Sequence, residues 1–275
     1  MRRYTWRTGL LEAAMVAAAI LFLVPVYLVI NLAIRRRGDV SSEIWPTLAP
    51  TLANFSVAWN SGNLDKAMFT TAYIVAISVA LLVAISGLAS YPLARVTSAL
   101  SRRIYILFML GLLLPYQMIF IPLYQTFSAL GLLGPRAPLA LIVFYVGHHL
   151  PFSIFLYTSF LRTIPTDYDD AATIDGCGPF QTFRYVLFPL LGPVTGTVVI
   201  LNVIYIWNDF MTPLLYLSGS RNLTLPVAIY GFVGEYAADW ATIFAGLVLS
   251  MMPVLGAYML LQKRIMQGFS AGVKG

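Results

Sequence analysis

The chain of 275 residues alternates long apolar stretches with short polar ones. Six stretches carry no charged residue, and each is at least 22 residues long. A helix of that length crosses a hydrocarbon core of about 30 Å. Because backbone polar groups inside a bilayer must be satisfied within the spanning segment, the stretches are predicted to be helices. The uncharged stretches are 13–34, 67–94, 104–135, 137–161, 185–208 and 240–262, and the approximate spans assigned from them are 10–34, 68–92, 104–126, 138–160, 190–215 and 241–262.

The composition also indicates a membrane protein. Hydrophobic residues make up 59% of the chain and charged residues 10%, with a mean hydropathy of +0.81. Soluble globular domains carry about 25% charged residues. No long polar segment separates the spans. Residues 1–275 are therefore predicted to form a single all-α integral membrane domain of six transmembrane helices.

Charge in the loops predicts the orientation. With six crossings, both termini lie on the same side as the 93–103 and 162–193 loops, and that side holds eleven of the 17 basic residues. The positive-inside rule therefore places the termini and the 162–193 loop in the cytoplasm. The run Arg35-Arg36-Arg37 lies on the other side and opposes this assignment. The net charge of +6 follows largely from the asymmetry, so it does not indicate a nucleic-acid partner.

The 163–193 loop has the sequence of two short helices joined by a turn. Pro165 ends the preceding helix, and the Thr166 hydroxyl is expected to cap a new one by accepting a hydrogen bond from the Asp169 amide. Gly176 is expected to end that helix in a left-handed conformation. Pro179 suits the first position of the second helix. Such a loop can pass force between a soluble partner and the membrane domain.

No catalytic chemistry is apparent. The three lysines lie outside any GxxxxGK sequence followed by Ser or Thr, so if this chain serves ATP-driven transport, hydrolysis is expected on another polypeptide. No cofactor and no metal are expected on this chain. Cys177 is the only cysteine and excludes an internal disulfide. His148 and His149 are adjacent in a predicted span, about 100° apart around the helix, and are expected not to face one ligand together.

The loop also matches a spaced motif. The matching residues are Asp170-Ala171-Ala172, Asp175-Gly176, Phe183, Pro189 and Pro193. The pattern resembles the cytoplasmic coupling loop of binding-protein-dependent ABC importers, usually written EAA, two residues, DG, then Phe and two spaced prolines. Asp170 stands where the motif usually has Glu, which keeps the charge on a shorter side chain.

The resemblance extends over about residues 85–275. Further matching segments are 89–95, 114–124, 207–210, 224–227 and 268–275. They resemble the AYALAR, PGQVxxIPLY and WNEF segments, the last external loop and the glycine-rich tail of carbohydrate-importer permeases of the maltose-permease G type. The three glycines of 268–275 predict a flexible tail.

This resemblance implies a permease subunit in a bacterial or archaeal inner membrane, in contact with lipid. It implies a second homologous permease, two ATP-binding subunits that carry ATP and Mg, and an extracellular solute-binding protein. The cargo is expected to be a sugar, a polyol or a glycerol-phosphate compound. The residues expected to couple to the ATPase are Asp170, Ala171, Ala172, Asp175, Gly176, Phe183 and Pro189.

Polar side chains within the spans are candidates for the substrate path, because they are costly in lipid unless they face a cavity or a partner. These candidates are Gln117, Tyr124, Asn202, Tyr205, Asn208 and Asp209. The alternative is hydrogen bonding between helices, and for Gln117 and Asn202 both interpretations stay open. The external loop between the last two spans offers contacts for the binding protein at Tyr230, Glu235 and Tyr236.

Two other classes of function have less support in the sequence. An ion-coupled secondary transporter would be expected to carry intramembrane carboxylates and an internal repeat, and only Asp209 comes close. A membrane-embedded enzyme would need a catalytic constellation. Co-purification of an ATPase and a second permease separates the importer from both.

Overall fold

The computed structural model describes residues 5–36, 39, 43–217, 219, 220, 222–235 and 239–272, with side chains for all except 61, 233–235, 257 and 260–272. Within these residues the regular structure is helical and includes no strand, which confirms the all-α class. The α-helices are α1 (Trp6–Ala33), α2 (Ala53–Ser61), α3 (Leu64–Arg95), α4 (Ala99–Gly111), α5 (Phe120–Ala129), α6 (Ala137–Leu161), α7 (Asp167–Ile174), α8 (Pro179–Gln181), α9 (Phe188–Leu190), α10 (Gly192–Asn208), α11 (Met211–Tyr216), α12 (Leu225–Glu235) and α13 (Trp240–Gly272). Short 3-10 helices occupy Tyr116–Ile119 and Gly134–Arg136, and a π-helical turn occupies Thr182–Leu187.

In the described part of the chain, three helices are long and apolar enough to cross a membrane: Trp6–Ala33, Leu64–Arg95 and Gly134–Leu161. Two further pairs pass the same test together but are bent. The bend is 90° between Ala99–Gly111 and Tyr116–Ala129, and 76° between Pro179–Leu190 and Gly192–Asn208. The described residues thus contain up to five candidate spans, with Trp240–Gly256 as a shorter apolar helix. The count of six stays a prediction.

The predicted span 104–126 is broken, so the expectation of one continuous helix is wrong. α4 ends at Gly111, and Pro115 is extended, with φ −63° and ψ 111°. The Pro115 ring disfavours helical backbone at Leu114 and removes an amide donor. The helix therefore ends before this point and resumes in a new direction.

The predicted span 190–215 is also interrupted. α10 ends at Asn208, and Asp209 is extended, with φ −68° and ψ 126°. Its Oδ1 accepts hydrogen bonds from the amides of Met211 (3.1 Å) and Thr212 (3.4 Å). A carboxylate in this position satisfies the free amides at a helix start. Asp209 thus begins α11 instead of continuing α10.

The last helix extends beyond its predicted span. α13 continues from Trp240 to Gly272, whereas the prediction was 241–262. The expectation of a flexible tail is wrong as far as Gly272, because a glycine inside a helix costs only about 1 kcal/mol and does not by itself end it. Residues 273–275 lie outside the described part of the chain.

The chain divides into two compact units: Met1–Asp65 with Ala228–Met252, and Lys66–Val227 with Pro253–Gly275. In the first unit, buried polar side chains form hydrogen bonds to the backbone of the segment that follows α1. The Asn31 amide nitrogen donates to the carbonyls of Glu43 (2.9 Å) and Trp45 (3.0 Å). The buried Arg35 also donates to the Trp45 carbonyl, at 3.0 Å, so this arginine has a structural role in the loop.

The second unit has a buried cluster that supports the 163–193 loop. Its members come from α6, the π turn, α10 and the residue that precedes α10, and are Tyr157, Leu161, Phe183, Leu187, Leu191, Val194 and Val198. The Tyr157 hydroxyl donates to Thr195 Oγ1 at 3.0 Å, so its polar end is satisfied as well. The second half of the loop is therefore part of the packed core.

Candidate functional site

The first helix of the loop, α7, begins without the predicted side-chain cap. The Asp169 amide donates to the backbone carbonyl of Thr166 (2.8 Å), and the Thr166 hydroxyl takes no part. The physical reason is its backbone, at φ −67° and ψ −16°, because a side-chain cap requires an extended residue. The carboxylates of Asp167, Asp169 and Asp170 lie in the first turn, where the helix dipole favours negative charge.

The end of α7 is a Schellman turn at Gly176. The Gly176 amide donates to the Thr173 carbonyl (3.0 Å), and the Cys177 amide reaches back to the Ala172 carbonyl (2.9 Å). Gly176 has φ +81°, as predicted, a conformation in which a Cβ is strained. The turn fixes the direction in which the chain leaves the helix.

The second helix begins at Pro179, as predicted. Gly178 is extended, and its amide donates to the Gln181 side-chain oxygen at 2.9 Å. One helical run then continues to Leu190 through the π turn. Such turns are uncommon and are frequent at functional sites.

Asp169 ties the start of α7 to the last turns of α3. Its Oδ1 accepts a hydrogen bond from the Tyr91 hydroxyl (3.0 Å), and its Oδ2 forms an ion pair with Arg95 Nη2 (3.0 Å). Tyr91 also contacts the ring of Phe183, with centroids 5.9 Å apart. Both helices of the loop thus contact the same end of α3.

The residues predicted to couple to an ATPase fall into two groups. Ala172 and Phe183 are buried, whereas the others are exposed: Asp170, Ala171, Asp175, Gly176 and Pro189. Large apolar side chains are exposed beside them: Ile174 at 86%, Phe180 at 66% and Tyr185 at 70%. The loop therefore presents a surface that is both acidic and apolar. Exposed apolar patches of this kind mark interaction sites.

Two of the predicted pathway residues are engaged within the helices. Asn202 is buried, and its amide nitrogen donates to the Val198 carbonyl (2.8 Å) and to Ser153 Oγ (3.4 Å) on α6. Asn208 is exposed and donates to the Ile204 carbonyl of its own helix at 2.7 Å. For Asn202 the geometry favours the helix-to-helix interpretation.

Asp209 and Tyr205 belong to a polar aromatic cluster between α6 and α10. The Tyr145 hydroxyl donates to Asp209 Oδ2 at 3.0 Å. Tyr205 contacts both histidines, with ring centroids 4.4 Å from His149 and 6.1 Å from His148. Both histidine rings therefore contact Tyr205, while the expectation that they do not face one ligand together stays a prediction.

A cavity of about 370 Å³ lies beside this cluster. Tyr116 and His148 line it, and their rings are tilted by 37° with centroids 4.9 Å apart. Gln117 is exposed in the same 3-10 turn, and Tyr124 packs edge-on against Tyr216 at 6.0 Å. The structure thus brings Tyr205 and Asp209 together and leaves Gln117 and Tyr124 outside the cluster.

The predicted binding-protein contacts are only partly described. Tyr230 lies in α12 and is exposed. Glu235 ends that helix, and its side chain lies outside the described set, as does the whole of Tyr236. Across the described residues, no group of three or more His, Cys, Asp or Glu side chains is arranged to hold a metal ion.

Sequence reasoning missed the residues that anchor the loop. Neither Tyr91 nor the Asp169 carboxylate is among the candidate residues drawn from the sequence. The spacing of Tyr91 and Arg95, four residues apart on one helix face, is a signal that both meet one partner. His148 and Tyr116 were likewise not assigned to the polar path.

Comparison with known proteins gives the class of this chain. The model of the family described as "binding-protein-dependent transport system inner membrane component" matches residues 76–270. That match covers more than half of the sequence, so the chain belongs to this family. The resemblance drawn from the motifs is confirmed at this level.

Among the curated relatives is the melibiose/raffinose/stachyose import permease protein MelC of Bacillus subtilis. It is 34% identical to this chain over 100% of this sequence and 99% of its own. The multiple sugar-binding transport system permease protein MsmG of Streptococcus mutans is 31% identical, with 98% and 96% covered.

A solved structure has the same fold. A chain in the crystal structure of a bacterial ABC transporter involved in the import of the acidic polysaccharide alginate superposes with a TM-score of 0.79. The match covers 96% of this chain and 100% of that one, at 18% identity. The predicted permease fold is confirmed.

Proposed function

We propose that this protein is a membrane subunit of an ATP-driven importer that carries a sugar across the cell membrane. It works with a second, homologous permease and two ATP-binding subunits, and it receives its cargo from an extracellular solute-binding protein. ATP and Mg are bound by the ATP-binding subunits. The names of MelC and MsmG support a sugar as the cargo.

The 163–193 loop is the observation that carries this proposal. One side of α7 is fixed to α3 through Asp169, while Asp170, Asp175 and Ile174 face outward. A short helix that is held on one side and exposed on the other is suited to docking a second protein. Under this proposal the exposed side contacts the ATP-binding subunit from the cytoplasm, which agrees with the excess of basic residues predicted for that side.

The cluster around Tyr205 is the best candidate for the substrate path in this chain. Sugars offer hydroxyl groups at their edges and C–H groups on their faces. Aromatic rings and polar tips meet both needs. Tyr205, Tyr116 and His148 provide rings beside the 370 Å³ cavity, and Asp209 provides an acceptor that also bonds Tyr145. The second permease is expected to complete the path.

Tyr230, Glu235 and Tyr236 are proposed to contact the solute-binding protein on the outer face. This assignment follows from the predicted orientation and from the exposure of Tyr230.

Reconstitution tests the proposal directly. The chain is co-expressed with the proteins encoded beside its gene, and the complex is purified through a tag on this subunit. Purified complex in proteoliposomes is then supplied with loaded binding protein, internal ATP and labelled raffinose, diacetylchitobiose or sulfoquinovosyl glycerol. ATP-dependent accumulation of at least one compound is expected.

Two controls separate the importer from the ion-coupled alternative. A partner whose phosphate-binding lysine is replaced by alanine should give no accumulation, and an ionophore that collapses ion gradients should have no effect. The opposite pattern, with transport sensitive to the ionophore and insensitive to the lysine variant, would identify a secondary transporter.

A further inference from the structure

Asp169 differs from the other carboxylates in the first turn of α7. Asp167 and Asp170 are exposed. Asp169 points toward α3, and its side chain retains only 17% of its accessible surface. One acidic residue of the three is therefore directed into the membrane domain instead of toward a soluble partner.

The two carboxylate oxygens of Asp169 contact different side chains on one face of α3. Tyr91 and Arg95 are four residues apart, so their side chains lie on the same side of that helix. Each approaches its own oxygen to 3.0 Å. A carboxylate held by a hydrogen bond at one oxygen and a largely buried ion pair at the other is more restricted in orientation than one in a single exposed ion pair.

Arg95 is itself held. Its side chain retains 14% of its accessible surface, and Nη1 donates to the Leu161 carbonyl at the end of α6 (3.2 Å). The contact therefore joins α7 to two long helices, not to a mobile side chain. Removing one member of a largely buried pair leaves the other charge without compensation, which is costly.

We propose that Asp169 is a positioning residue that transmits displacement of α7 to the ends of α3 and α6. The inference rests on the proposed function, because it requires α7 to be the helix that a partner moves. α7 is a short rigid element that begins at Thr166 and ends in the Schellman turn. Its fixed point is at its first turn, so motion imposed on the exposed end reaches α3 through Asp169.

Coupling is measured as sugar transported per ATP hydrolysed, in proteoliposomes with labelled raffinose or whichever of the three compounds the wild type accumulates. Asp169→Asn removes the charge and keeps the size. We expect it to retain the co-purified ATP-binding subunits and basal ATPase activity but to lower the ratio by at least about fivefold. Tyr91→Phe should lower it less. The charge reversal Asp169→Arg with Arg95→Asp should restore part of the loss.

Asp167→Asn is the matched control, because it is in the same turn and is exposed; its ratio should equal that of the wild type. An unchanged ratio in Asp169→Asn would overturn the proposal. So would a loss of ATP-binding subunits in Asp169→Asn with a normal ratio in the complexes that remain, because that would show a purely structural role. A wild-type complex without ATP-dependent uptake would instead contradict the proposed function itself.

A second measurement does not depend on how the variants fold. Spin labels are placed at Thr166→Cys and Val96→Cys in a Cys177→Ser background, since both sites are exposed and the Thr166 side chain does not cap α7. The distance between them should be the same in the nucleotide-free and ATP-bound complex. A shift by about one helical turn, 5 Å, would show that α7 slides past α3, and the proposal would be wrong.

Discussion

Arg95 and Arg162 each donate a hydrogen bond to the last turn of the other's helix. Arg95 lies at the end of α3 and reaches the Leu161 carbonyl of α6 (3.2 Å), while Arg162 follows α6 and reaches the Leu93 carbonyl of α3 (3.3 Å). The last carbonyls of a helix lack partners within it and carry the negative end of its dipole. These two reciprocal arginine–carbonyl hydrogen bonds join the ends of α3 and α6 beside the 163–193 loop.

Loss of Arg162 should weaken this junction. Arg162→Met removes the hydrogen bond to Leu93 and the stacking of the guanidinium on Tyr105, 4.8 Å from the ring centroid. Because Arg162 is largely exposed, we expect a cost of only about 1 kcal/mol. The measurement is the midpoint of thermal unfolding in detergent, followed by tryptophan fluorescence. Arg184→Met is the control, since Arg184 contacts the ring of its neighbour Tyr185, and it should leave the midpoint unchanged. Equal midpoints for both variants would contradict the assignment.

Substitutions of Gly176 should test whether the turn that ends α7 is needed for uptake. Proline cannot adopt φ +81° and lacks the amide that bonds the Thr173 carbonyl, so Gly176→Pro should abolish uptake while the protein still reaches the membrane. Gly176→Ala has open space around its Cβ and should cost only about 1 kcal/mol through backbone strain. Gly178→Ala, at φ −75°, is the control and should behave as the wild type. Wild-type uptake in Gly176→Pro would exclude a coupling role for this turn.

The exposed carboxylates should matter for partner binding. Asp170 and Asp175 project from the proposed docking side of α7, whereas Asp167 lies at its exposed start. We expect Asp170→Ala and Asp175→Ala to reduce capture of the ATP-binding subunit in a pull-down, and Asp175→Ala to do so more than Asp167→Ala. If Asp167→Ala and Asp175→Ala captured equal amounts, the carboxylates would serve only the helix itself.

The two interpretations of the polar residues within the spans can be separated kinetically. Asn202 is bonded within the bundle, so Asn202→Ala should lower the unfolding midpoint, by the equivalent of about 1–3 kcal/mol, and leave the KM of uptake unchanged. Tyr205→Ala removes a ring from the cluster beside the cavity and should raise the KM about tenfold, while Tyr205→Phe should have a smaller effect. A raised KM for Asn202→Ala would return that residue to the substrate path.

Local rules of sequence predicted the loop well. The left-handed Gly176 and the helix start at Pro179 both depend on the conformational limits of single residues, which sequence carries directly. The cap at Thr166 failed because an alternative was available: the backbone carbonyl of the same residue took the bond. Residue type alone does not decide between these two acceptors.

Contacts between distant residues were the part that the sequence did not predict. The partner of Asp169 lies 78 residues away at Tyr91, and an acidic residue in a first helical turn already has a sufficient local explanation. The two breaks, near Pro115 and at Asp209, were hidden for a different reason. Hydropathy averages over a window, so a short non-helical segment does not interrupt an apolar stretch.

The separation between Tyr91 and Asp169 also has a consequence in time. A ribosome adds about 5–20 residues per second, so the 78 residues between them take roughly 4–16 s to synthesise. Both α3 and α6 precede Asp169 in the chain, so Tyr91 and Arg95 lack their carboxylate throughout that interval. Attachment of α7 can therefore occur only after both helices have been made, and a chain released before Asp169 is made would have α3 and α6 without the carboxylate that contacts Tyr91 and Arg95.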